Sequence, residues 1–203
     1  MTSRPASVLI TGATGFVGRA LAERLVSEGH AVTAWVRNPN AARAVLGPRV
    51  EFVDSTGLSG AVAATDGIVN LAGESVAGVR WTRARKAAIR SSRVDTTQAL
   101  ADALAAAPPR GRVLVSASAV GVYGDAGDAE CTEEAPGGSG FLADVCREWE
   151  AVAQSARRDD VRVVVARIGV VVGRGGGVVS TLSPVFRAGL GGPIAGGKQW
   201  MSW

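Results

Sequence analysis

Apolar and polar positions switch between two periods along this chain. Val8, Leu9 and Ile10 form a short aliphatic run, and the segment behind them carries Ala20, Leu21, Leu25 and Val26 at helical spacing until Gly29 stops it. The same alternation then repeats. Strands are predicted over residues 7–10, 31–36, 50–53, 67–71, 112–116 and 161–168, and helices over 16–27, 82–107 and 141–157. In the long second helix Ile89, Thr96, Leu100, Ala103 and Ala107 share a face, and Pro108-Pro109 end it. Strands that alternate with helices predict an α/β fold, a doubly wound and mostly parallel sheet in a three-layer α/β/α sandwich. The glycine-rich residues 173–177 read as a plain loop, with a hinge or a phosphate-facing turn as the alternatives.

The first strand-to-helix junction carries the most chemistry. Gly12, Gly15 and Gly18 are spaced three apart between the aliphatic run and the helix, in Thr11-Gly-Ala-Thr-Gly-Phe-Val-Gly18. A strand, a glycine turn and a helix N-terminus together present backbone N–H groups to a pyrophosphate. Gly12 would permit the tight turn, Gly15 would let backbone approach the phosphates, and Gly18 would allow close packing of the helix. The expectation is a Rossmann dinucleotide site made by Gly12, Thr14, Gly15, Phe16, Val17 and Gly18. At the end of the second strand, Trp35-Val-Arg-Asn-Pro39 has Arg37 where a carboxylate would select NAD. An arginine there suits the 2′-phosphate, so NADP is favoured over NAD; a solvated surface arginine is the alternative. Asp54 either accepts from an adenine amino group or caps the next turn. Asn70, Leu71, Ala72 and Gly73 follow the fourth strand, at the carboxyl edge where such sheets bind ligands.

Bulk properties narrow the classes. At 203 residues, 47% hydrophobic and 20% charged, the chain suits one soluble domain spanning residues 1–203. No uninterrupted apolar run is long enough to span a bilayer, and no basic stretch followed by an apolar block opens the chain, which predicts a cytoplasmic protein with no membrane partner. Cys131 and Cys146 are too few for a disulfide framework or a thiolate metal site and read as buried or partly buried thiols. The single histidine, His30, lies in a turn and reads as structural; His-based triads and multi-histidine metal sites are excluded. A net charge of +4 is compatible with anionic ligands without implying nucleic acid. Arg80, Arg83, Arg85, Lys86, Arg90 and Arg93 open the long helix without an intervening acid, where the helix dipole disfavours cations. They read as a solvated basic face or as a partner for a diphosphate. Trp81 reads as a core anchor, and Asp125, Asp128, Glu130, Glu133 and Glu134 as a solvated loop or a lid. The chain stops on Trp200-Met-Ser-Trp203, with no polar cap on its tryptophans.

These residues resemble a family. The 11–18 motif is similar to that of the extended and atypical short-chain dehydrogenase/reductases, the NAD-dependent epimerase/dehydratase group. Further blocks resemble its YfcH-like subgroup of sugar-nucleotide epimerase-type proteins: Asn70-Leu-Ala-Gly-Glu74, Arg80-Trp-Thr82 with Ser92-Arg93, Ser116-Ala-Ser-Ala-Val-Gly-Val-Tyr-Gly124, Gly140-Phe-Leu-Ala-Asp-Val-Cys-Arg-Glu-Trp-Glu150, and Gly191-Gly-Pro through Trp203. The resemblance implies an NADP-binding oxidoreductase or epimerase acting on a small or nucleotide-linked substrate. It also implies a C-terminal substrate-binding portion that this sequence lacks. Hydride-transferring members resemble one another in a serine, a tyrosine and, four residues on, a lysine. Ser118 fits the serine, whereas the tyrosine and lysine positions fall on Phe141 and Val145. Tyr123, the one tyrosine, is the candidate substitute acid or a ring packed near the nicotinamide; Asp144, Cys146 and Glu148 are further candidates. Two other readings stand beside the enzyme: a non-catalytic NADP-binding sensor or scaffold, and an inactive truncated member.

Overall fold

A computed structural model describes residues 4–77, 80–193 and 195–203 of the chain. Ile194, inside the glycine-rich segment near the end, lies outside the described residues. Six strands form one sheet in the order β3-β2-β1-β4-β5-β6. They are β1 (Ser7–Thr11), β2 (Ala31–Trp35), β3 (Glu51–Val53), β4 (Gly67–Asn70), β5 (Arg112–Ala119) and β6 (Val161–Ile168). The pairings of β1 with β2 and β4, of β2 with β3, and of β4 with β5 are all parallel. That order, reversing direction at β1, is the doubly wound Rossmann arrangement.

Alternation along β1 explains the layers. Leu9 faces a core shared with Leu58 and Val62 of α3 (Leu58–Ala64), Leu100 and Leu104 of α4 (Arg83–Ala106), and Ala153 of α5 (Phe141–Ser155). Ile10 faces the opposite core, built with Ala22 and flanking Leu25 of α1 (Phe16–Ser27), and Leu46 of α2 (Pro39–Leu46). Successive strand residues point to opposite faces, so one short apolar run supplies both interiors. Helix ends are set locally. Asn38 caps α2 by accepting from Ala41 N–H at 3.1 Å, with Pro39 as its first residue. Thr82 caps α4 by accepting from Arg85 N–H at 3.2 Å. Gly29, at φ +85°, turns the chain from α1 into β2, and His30 Nδ1 accepts from Ala6 N–H at 3.0 Å, the structural role expected of it.

The chain divides into two compact units. The first comprises residues up to Ala117 with Arg147–Ala166 and holds both cores. The second comprises Ser118–Cys146 and Arg167–Trp203. It contains a 3₁₀ turn at Val120–Tyr123, β7 (Val172–Gly173) and α6 (Gly177–Arg187). Residues 173–177 are therefore not a plain loop: Gly173 bridges Gly176 in a tight antiparallel turn that leads into α6.

Several expectations change. The helices α2, α3 and α6 were not predicted. The α4 face is buried through Thr97, fully enclosed, rather than Thr96, which is half-buried, because Thr97 is the residue in register with Leu100 and Leu104. Trp81 is 41% exposed and anchors no core. Cys131 is exposed, against the expectation of a buried or partly buried thiol, while Cys146 is buried as that expectation allows. Among the described residues, no helix is long and apolar enough to cross a membrane. None of those residues gathers three or more His, Cys, Asp or Glu side chains that could hold a metal ion.

Candidate functional site

A cleft of about 540 Å³ opens at the carboxyl ends of β1, β2, β3 and β4, within the first unit. Its floor is the glycine turn. Gly12 adopts φ +65°, and a methyl group there would lie 2.5 Å from the Leu71 carbonyl oxygen. A methyl at Gly18 would lie 2.2 Å from the Gly12 carbonyl oxygen, so the start of α1 sits directly on the turn. Gly15 N–H donates to Gly12 O at 2.9 Å, and Gly15, with Thr14, is exposed along the cleft. The α1 cap offers no side-chain acceptor and its first turn has no acid. Its first N–H groups are left for an acceptor from outside, which fits a phosphate. Phe16 faces a groove between α1 and α2, and Val17 is 37% exposed outside the cleft lining. With Gly18 given over to packing, all three can serve an anion only through backbone N–H.

One wall is positioned by buried polar groups. Thr11 Oγ1 donates to Asn70 Oδ1 at 2.7 Å and accepts from Leu71 and Ala72 N–H, each at 3.1 Å. Asn70 Nδ2 in turn donates to Thr97 Oγ1 at 2.7 Å and Ser116 Oγ at 3.1 Å. Trp149 Nε1 donates to the same threonine oxygen at 2.9 Å. Leu71, Ala72 and Gly73 line the cleft; Asn70 is fully buried beneath them, outside the lining, and its bonds position the wall. A satisfied buried network of this kind fixes one geometry.

At the β2–β3 end, Arg37 is exposed on the cleft rim with Trp35 and Val36 behind it. Asp54 lines the same end. Its Oδ1 accepts from Thr56 Oγ1 at 2.6 Å and from Thr56 N–H at 2.9 Å, and these bonds hold its carboxyl below the usual carboxylate range. The turn-capping role of Asp54 is thus realised through one oxygen. At the β4–α4 end the lining includes Glu74, Ser92 and Thr96. Ser92 Oγ accepts from Glu74 N–H at 2.9 Å, and Arg85 Nη1 meets Glu74 Oε1 at 2.9 Å. Arg90 grips Glu148 through two bonds, its Nε 2.6 Å from Oε2. Two cations of the basic start of α4, Arg85 and Arg90, are thus paired with acids, which partly neutralises the run.

The second unit holds Ser118 and Tyr123. Ser118, near the end of β5, is 2% exposed. Tyr123 hydroxyl donates to the Thr132 carbonyl at 2.9 Å and accepts from Arg167 Nη1 at 2.9 Å, with that guanidinium 5.2 Å from the ring centre. Phe141 begins α5, and Val145, one turn later, is 3% exposed. Sequence reasoning missed Ser55, Glu74, Ser92 and Thr96 as cleft residues. Glu74 and Ser92 stood inside motif blocks, but only their spacing to the fourth strand could have signalled a shared wall.

The model of the NAD dependent epimerase/dehydratase family matches residues 8–203. An Arabidopsis thaliana protein described as an epimerase family protein SDR39U1 homolog, chloroplastic, is 38% identical over 203 residues, covering 97% of this chain and 58% of that protein. The Bos taurus epimerase family protein SDR39U1 is 40% identical over 200 residues, covering 97% of this chain and 65% of its own length. The chain thus spans 58–65% of the length of these relatives. The crystal structure of human epimerase family protein SDR39U1 (isoform 2) with NADPH superposes with a TM-score of 0.84 at 38% identity, over 97% of this chain and 65% of that one. MoeE5 in complex with UDP-glucose and NAD is more distant, at 26% identity and a TM-score of 0.71, over 90% of this chain and 60% of that one. Glycine turn, sheet order and sequence agree: the chain belongs to the NAD dependent epimerase/dehydratase family.

Proposed function

We propose that the cleft binds NADP(H) and that the protein is an oxidoreductase or epimerase-type enzyme acting on a small or nucleotide-linked substrate. The observation that carries the cofactor choice is Arg37 on the cleft rim after β2, in a stretch from Trp35 to Pro39 that contains no carboxylate. A 2′-phosphate there gains a charge-assisted bond that a 2′-hydroxyl does not. The human relative crystallised with NADPH supports this choice. The glycine turn fits a dinucleotide because its methyl-free positions leave backbone, not side chain, at the floor. In this reading Gly12, Thr14 and Gly15 with the α1 N-terminus hold the diphosphate, Arg37 the 2′-phosphate, Asp54 the adenine through its second oxygen, and Leu71, Ala72 and Gly73 the remaining wall. Bound NADP supplies a hydride acceptor, and NADPH a donor.

Ser118 and Tyr123 are the substrate-contacting candidates, with Ser118 orienting a substrate oxygen and Tyr123 as substitute acid. Tyr123 can give up its proton only when its bond to Thr132 is released. A second reading is favoured by Phe141 and Val145, which cannot move a proton: a sensor or scaffold that binds NADP without turnover. Calorimetric titration with NADPH and then NADH tests the cofactor assignment. Arg37→Ala is expected to weaken NADPH by about tenfold or more, and NADH by about twofold or less. Equal losses for both would refute the 2′-phosphate assignment. NADPH consumption with a panel of carbonyl substrates separates enzyme from sensor.

A further inference from the structure

A cation sits behind the β4–α4 wall of the cleft. Arg93, half-buried on α4, is flanked in sequence by the cleft-lining Ser92 and, one turn on, Thr96. Its Nη1 donates to the Ile89 carbonyl at 2.9 Å, and its guanidinium carbon lies 5.4 Å from the centre of the Trp149 ring. That ring is itself fixed by its bond to Thr97. The guanidinium also lies against Gly73, where a methyl group would come within 3.0 Å of Cζ and 3.1 Å of Nη2. Gly73 does not have a left-handed φ, so what a side chain there would meet is the packed guanidinium and not backbone strain. Removing that side chain brings a positive charge to within one layer of backbone of the cleft. A planar, weakly hydrated guanidinium tolerates such a place better than an ammonium. The carboxylate in this wall, Glu74, is offset by Arg85 at 2.9 Å.

The order β3-β2-β1-β4 along the sheet edge gives the cleft a direction. Arg37 and Asp54 follow β2 and β3, the glycine turn follows β1, and Gly73 and Glu74 follow β4. With the 2′-phosphate at Arg37 and the diphosphate over the glycine turn, the nicotinamide-side half of the dinucleotide falls at the β4–α4 end. We propose that Arg93, acting through the Gly73 wall, is the positioning residue whose charge holds the nicotinamide-side phosphate. The inference rests on the NADP reading of the cleft.

Two probes divide the dinucleotide. NADPH carries both halves, and adenosine 2′,5′-bisphosphate carries only the adenosine side with its 2′-phosphate. Arg93→Met keeps much of the side chain's length without its charge. It is expected to weaken NADPH about tenfold while changing adenosine 2′,5′-bisphosphate by about twofold or less. Retained binding of the smaller probe also shows that the variant is folded. Arg93→Lys keeps the charge without the planar stacking and is expected to recover part of the NADPH affinity, and added salt to narrow the gap between the Met variant and the parent. Equal weakening of both probes, no weakening of either, or a lysine variant no better than methionine would overturn the proposal. A parent protein that binds neither probe would overturn the NADP reading itself, and this inference with it.

Discussion

Thr97→Val removes one oxygen and keeps the shape of the side chain. That oxygen, fully buried, accepts from Asn70 Nδ2 at 2.7 Å and Trp149 Nε1 at 2.9 Å, and donates to the Arg93 carbonyl at 2.7 Å. The carbonyl lies one helical turn back and keeps its intrahelical partner, so its loss is small. The two N–H donors are left buried without an acceptor, at about 1–3 kcal/mol each. The expected destabilisation is about 2–6 kcal/mol in total. With a urea m-value of roughly 2–3 kcal/mol/M, the unfolding midpoint should fall by about 0.7–3 M at unchanged m. Thr97→Ser keeps the hydroxyl and should cost about 1 kcal/mol for its lost methyl group. Thr96→Val, one position away and half-buried, should stay within about 0.5 kcal/mol of the parent. A Thr97→Val midpoint indistinguishable from the parent, or a Thr96→Val loss of equal size, would refute the argument that this network is satisfied and stabilising.

Other substitutions probe different forces. Gly18→Ala should destabilise by several kcal/mol although alanine is the better helix former, since its methyl would lie 2.2 Å from the Gly12 carbonyl oxygen; Gly60→Ala, in α3 with nothing within 4 Å, should stabilise by about 0.5–1 kcal/mol. Thermal melts of the two should therefore move in opposite directions. Asp66 accepts from Ser7 N–H at 2.9 Å and Ser7 Oγ at 2.8 Å and pairs with Arg110, which together hold its carboxyl below the usual carboxylate range. Its contribution is complete above the unfolded value of about pH 4 and is lost as pH falls through the lower folded value. Asp66→Asn should lower the neutral-pH urea midpoint and shrink the further drop on acidification; an unchanged acid slope would count against it. Glu148→Gln breaks the half-exposed grip on Arg90 and should cost no more than about 1 kcal/mol, less at high salt.

The large alternations of the fold were legible. The bounds of α1 and β6 match the pattern, because long periodic runs between glycines or charged turns leave little freedom in where an element starts. Short helices were not. α2 carries the signals Asn38, Pro39 and Gly47, but these eight residues lie in the stretch where Arg37 had drawn a ligand-binding interpretation. α6 begins on Gly177 and contains Pro184, both of which argue against a helix when read locally. At the site, the glycine turn was readable because backbone geometry is local. The buried partners of Asn70 were not: Thr97 and Ser116, 27 and 46 positions away, meet it only through the fold. The partial neutralisation of the basic run by Glu74 and Glu148 is equally non-local.

The contact between Gly12 and Gly18 has a practical consequence for anyone wishing to re-engineer this cleft. At Gly12 and Gly18 no side chain fits, so diversity introduced at those two positions yields chains that do not fold. The adjustable letters are at the two ends, Arg37 and Ser55 on one side and Glu74, Ser92 and Thr96 on the other. A change of cofactor would be sought at the first group and a change in what meets its reactive half at the second, each explored without disturbing the other.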